Sequence, residues 1–274
     1  MLKSIFFSLF THISIGLIFT ILFISKEEIG KLYFRVTTLV AFTLLLTAIV
    51  AQTFGKINFL QLLAFNETNQ YTLERITFLL LILSIIFILL YNLFLHRVIL
   101  FIVLLLGIIA IAINALLYIE TKGYNPFEKA LFITNAISST LILGSVLGAM
   151  ITGHWYLVKH KLSLNPLKNT TLIYIFSVLF RIFVIVLTIS IFWKMEKTHI
   201  LLNMIFSLTT DSLFLIGRVV IGLIIPLIFG IMIWGTVKIR STQSATGILY
   251  ATIILVLIGE AFAKFISNSI GIPL

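Results

Sequence analysis

Four charged side chains, Arg181, Arg218, Glu260 and Lys264, stand well inside otherwise apolar stretches of this sequence. At the centre of a membrane each costs roughly 2.5–3.5 kcal/mol on insertion scales, against about 0.3–0.6 kcal/mol gained per Leu or Ile, so each needs a partner or a task. Lys264 follows Glu260 by one helical turn, on the same face and in the favourable acid-to-base order. Arg218 lies about six residues into its own stretch, and Glu260 about seven residues from the end of the next. Consecutive antiparallel helices would therefore bring them to one depth, and an Arg218–Glu260–Lys264 cluster is the most specific constellation in the chain. Arg181 has no carboxylate near it in sequence. Its candidate partners are Glu260, a lipid phosphate or another subunit.

His12 and Asn135 fall in the same layer, with Gln52 and Asn114 a few residues from the ends of their stretches. Together these groups describe a polar pocket that binds a headgroup or passes protons. Glu260 would be the proton-exchanging carboxylate, fixed by Arg218, with His12 as a relay, since imidazole titrates near neutrality. The structural alternative is an ion pair that locks two helices, with Lys264 snorkelling to the surface. A second chemistry rests on histidine. The chain has no cysteine, which excludes disulfides, thiolate zinc sites and covalently attached c-type haem. Of His12, His96, His154, His160 and His199, only His96 and His154 share a level, as a b-type haem with two axial imidazoles requires. The bland alternative is that Gly153-His154-Trp155-Tyr156 belongs to an interfacial aromatic belt.

The elements that must position these residues follow from composition. Of 274 residues, 61% are hydrophobic and 10% charged, and the mean hydropathy is +1.21. An ordinary soluble domain has about 45–50% apolar and about 25% charged residues, so a soluble enzyme, a disordered chain and a nucleic-acid-binding module are excluded. A spanning helix needs about 20 apolar residues. Eight such stretches are present, over 4–24, 33–54, 75–95, 98–118, 129–153, 170–193, 212–236 and 245–267. The predicted fold is an all-α integral membrane bundle of eight transmembrane helices, one polytopic domain over 1–274, with both termini on one side. The first stretch resembles a signal peptide only in following Lys3; it lacks a small-residue cleavage site and reads as a true span. The net charge of +10 is read as loop Lys and Arg facing anionic headgroups. Those residues divide almost evenly between the two faces, and the denser basic short loops lean toward termini outside.

Three further patterns concern packing. Gly144 and Gly148 form a G-x-x-x-G in the fifth stretch, where small residues let helices approach. Pro226, between Gly222 and Gly230, should kink the seventh. Tyr33, Tyr174 and Tyr250 recur near the starts of the second, sixth and eighth stretches, as a hairpin repeat or as headgroup-level tyrosines. No nucleotide loop, zinc-protease motif or nucleophile elbow occurs. The first functional expectation is a membrane subunit of a larger, respiratory assembly, using its pocket for quinone or proton handling. The second is a small proton-coupled transporter working through Glu260. The third is a scaffold held by the Arg218–Glu260 pair. The layout is similar to the membrane anchors of quinone-linked reductases of the polysulfide-reductase type, a likeness of architecture. The expected surroundings are a lipid bilayer, other membrane or peripheral subunits and the plasma (inner) membrane of a prokaryote, with no nucleic acid.

Overall fold

The computed structural model describes residues 2–53, 69–120, 125–159, 162–194 and 210–274. His160 and His199 lie outside the described residues. Eight long apolar helices account for nearly all of the described chain: α1 Leu2–Leu22, α2 Lys31–Thr53, α3 Asn69–Phe94, α4 Arg97–Glu120, α5 Pro126–Val158, α6 Asn165–Lys194, α7 Thr210–Lys238 and α8 Thr242–Ile270. The protein is an all-α bundle of eight helices long and apolar enough to span a membrane, with both ends on the same side.

Several helices outrun their apolar stretches, because polar ends continue the hydrogen-bond ladder beyond the hydrocarbon. At the start of α5 the reason is local. Asn125 and Glu128 form a capping box in which the Glu128 carboxylate accepts the Asn125 backbone N–H at 2.9 Å, and Pro126 enters the first turn without a donor to lose. Glu128 is thus a buried helix cap and not a free loop acid.

Helices α1 and α5 form the centre. About three quarters of their apolar windows is buried (78% and 72%), against 28–39% for the other six, whose outward faces are left for lipid. Glycine makes this contact: a Cβ on Gly144 would lie 1.8 Å from the Gly16 carbonyl carbon, and one on Gly148 2.6 Å from Thr20 Cγ2. The G-x-x-x-G of α5 therefore seats α1 backbone to backbone. Ser14 of α1 donates to the Ala41 carbonyl of α2 at 2.6 Å. The three recurring tyrosines serve different ends. Tyr33 is buried and bonded to Thr152 at 2.8 Å, and Tyr174 is buried and donates to the Pro226 carbonyl at 2.6 Å. Tyr250 is exposed beside His154.

On the face away from the termini, short connections are cross-linked. Lys26 Nζ donates to the Leu95 carbonyl while Arg97 donates to the Ile24 carbonyl at 2.8 Å. Leu95 has φ +57°, a left-handed turn residue without the freedom of glycine, and its carbonyl is held by Lys26. In α7 the expected Pro226 distortion takes a definite form: Val220–Ile224 is a single π-helical turn, and the α-helix resumes with Pro226 in its first turn. The wider turn lets the helix pass a residue that has no N–H to return to the preceding turn.

Candidate functional site

Midway along the bundle, α5, α6, α7 and α8 converge on the Glu260 carboxylate, which is completely buried. Its position, ten residues before the end of α8, corresponds to about 15 Å along the helix. Oε1 accepts Arg181 Nε at 3.0 Å and Arg218 Nη2 at 2.7 Å; Oε2 accepts Arg181 Nη2 at 3.2 Å and Ser139 Oγ at 2.6 Å. The Arg181 contact is a two-point fork, the strong form of guanidinium–carboxylate pairing. All four lone-pair directions are met by donors, so the carboxylate stands as a fully occupied acceptor shared by two buried cations.

Arg181 exhausts its five N–H groups. Besides Glu260 it reaches the Asn135 carbonyl at 3.0 Å, Asn135 Oδ1 at 2.9 Å, Ser138 Oγ at 2.8 Å and the Leu274 carbonyl at 2.9 Å. Asn135 is fixed in turn by donating to Thr188 at 2.8 Å. The Leu274 contact arises because Gly271 takes a left-handed φ of +82° and turns residues 271–274 back into the bundle, where Ile272 and Leu274 are buried. Arg218 is held differently: its Nε and Nη1 are buried and find no acceptor among the described residues. The guanidinium reaches over Gly222, where a Cβ would lie 3.0 Å from Nη1 and 2.6 Å from the Gly259 Cα. Gly222 and Gly259 thus bring the π-turn of α7 against α8 beside the carboxylate.

The third cation departs from the expected cluster. Lys264 makes no ion pair with Glu260, whose oxygens are taken; its Nζ lies 3.3 Å from His12 Nδ1. The same nitrogen lies 3.1 Å from Ser139 Oγ. Ser139 gives its proton to Glu260, so it can only accept from His12, which requires a proton on Nδ1. Lys264 can donate to Nδ1 only when that proton is absent. The imidazole tautomer therefore decides whether the relay runs His12–Ser139–Glu260 or Lys264–His12.

A cavity of about 440 Å³ adjoins this chain of groups. His12, Asn114, Asn135, Arg181 and Lys264 line its polar part, Phe7, Phe78, Ile111 and Phe132 its apolar part, and Gln52 and Glu74 also border it. Of the sequence-derived pocket residues, His12, Asn135, Arg181 and Lys264 line the cavity, and Arg218 and Glu260 lie behind it. His96 and His154 do neither. Both are exposed on the opposite side, with His154 Nδ1 2.7 Å from the Tyr250 hydroxyl. Among the described residues no group of three or more His, Asp or Glu is arranged to hold a metal. Sequence reasoning missed Ser139, Gly259 and the Leu274 carbonyl. Ser139 carried a signal, four residues beyond Asn135 on the same helical face; the other two act through backbone and carried none.

Comparison with protein-family models, with curated proteins and with solved structures finds no match to this chain.

Proposed function

We propose that the protein is a polytopic membrane subunit whose cavity holds the polar head of an amphiphile, a quinone or a lipid-like molecule, as part of a larger assembly. One observation carries this reading. Lys264 lines a cavity that has both polar groups and an apolar wall, close to a buried relay of His12, Ser139, Glu260 and Arg181, yet has no carboxylate contact among the described residues. A cation at this depth is expected to have a partner or a function, and the cavity offers room for a head with an apolar tail along Phe7, Phe78 and Phe132.

The test is to isolate the full chain in lipid nanodiscs and identify extracted amphiphiles by mass spectrometry. A defined species retained by the wild type, and lost when Phe132→Trp fills the cavity, supports the reading. A chain carrying only bulk lipid in bulk proportions refutes it. Isolation in mild detergent tests the assembly: other subunits should accompany the chain.

A second reading applies to the buried cluster itself. The four hydrogen bonds on Glu260 favour the scaffold role for that residue over proton coupling, because protonation would turn an acceptor oxygen toward donors. Binding is then the work of Lys264 and the cavity, and Glu260 holds the helices that form it.

A further inference from the structure

We propose that the head bound in this cavity is an oxyanion, a carboxylate or phosphodiester on an apolar tail; this rests on the amphiphile reading above. Among the described residues, the buried Arg181 and Arg218 and the cavity-lining Lys264 gather around one buried carboxylate side chain at this level, Glu260. That carboxylate is fully occupied by Arg181, Arg218 and Ser139, so positive charge is in excess here and Lys264 is the cation that faces the cavity without a carboxylate contact among the described residues. His12 is its one hydrogen-bond contact among the described residues, and only in the tautomer that leaves Nδ1 unprotonated. Asn114 and Asn268 line the same cavity, and their side chains make no hydrogen bond among the described residues, so their amide donors are available to the same oxygens. A neutral carbonyl head would accept these hydrogen bonds but leave the charge imbalance; an oxyanion meets both demands.

Glu74 also borders the cavity, at its exposed edge. The tail is accounted for by Phe7, Phe78 and Phe132, which form the apolar wall.

The experiment uses the full chain in dodecyl maltoside, which carries neither phosphate nor carboxylate, with three probes: oleate, phosphatidylglycerol and the neutral decylubiquinone, read by native mass spectrometry. One-to-one retention of an anionic probe is expected, weakened about tenfold or more by Lys264→Met, preserved by Lys264→Arg and lost in Phe132→Trp. Retention of oleate alone assigns a carboxylate, of phosphatidylglycerol alone a phosphodiester, and of both the shared oxyanion chemistry. If decylubiquinone is retained through the cavity while neither anion is, or if Lys264→Met leaves anion retention unchanged, the oxyanion inference falls and the amphiphile reading stands. If no probe is retained by the folded wild type, both fall. Thermal unfolding of each variant confirms that it is folded; should Lys264→Met not fold, Asn114→Leu carries the same comparison.

Discussion

Glu260→Gln is the sharpest perturbation of the cluster. It keeps the volume and two polar atoms but removes the charge, and the new amide presents N–H groups to Arg181 or Arg218, which can only donate. Arg181 and Arg218 are 2% and 1% exposed, so neither gains bulk hydration in exchange. Breaking a buried ion pair by removing one partner costs about 3–5 kcal/mol, because the remaining charge stays buried without compensation. Here one carboxylate serves two guanidiniums, which places the loss at the upper part of that range. At about 2–4 °C per kcal/mol for a chain of this size, the unfolding midpoint should fall by on the order of 10 °C. The measurement is thermal unfolding of the detergent-solubilised full chain, followed by tryptophan fluorescence and by the monodisperse fraction after heating. Glu260→Asp, which keeps the charge but shortens the reach, should lie between. Replacing Arg181, Arg218 and Glu260 together by Met should recover most of the loss, since an apolar substitute for a whole buried ionic group is often neutral or stabilising by about 1–4 kcal/mol. A Glu260→Gln midpoint within about 2 °C of the wild type would refute the reasoning. Gln is the isostere of a protonated acid, so that result would mean the carboxyl already carries a proton, as the transporter reading requires.

The remaining predictions concern packing and hydrogen bonds. Gly144→Ala should prevent stable association of α1 with α5, seen as loss of the folded, monodisperse protein, because its Cβ would lie 1.8 Å from backbone that cannot move aside. Gly222→Ala should lower stability by about 1–3 kcal/mol in the same thermal assay, by prising α7 from α8 and crowding Arg218. Gly235→Ala and Gly247→Ala, where a Cβ meets nothing within 4 Å, should leave stability unchanged or raise it by up to about 1 kcal/mol through helix propensity. Tyr174→Phe removes the donor to the Pro226 carbonyl and should cost about 1 kcal/mol.

The sequence by itself determined that this is a membrane bundle, how many helices it has and which charges lie inside it. Hydropathy over a span's length is a local property, and the free energy of an isolated Arg or Glu in hydrocarbon depends on depth more than on neighbours. Arg218 and Glu260 could even be paired, because consecutive antiparallel helices share depth. What the sequence did not contain was facing. Arg181 and Glu260 are 79 residues apart, and only the packing of both α6 and α8 against α5 makes Glu260 the partner from among three candidates. Lys264 shows the converse: its spacing from Glu260 was right for an ion pair, but the oxygens were already filled by groups from other helices, so it turns to His12. Pairing in a low-dielectric interior is decided by competition among all donors that reach one acceptor, and that competition exists only after the helices have packed. The cavity is decided at the same stage. Its polar half comes from residues legible one by one, its apolar wall from phenylalanines indistinguishable in sequence from those that face lipid.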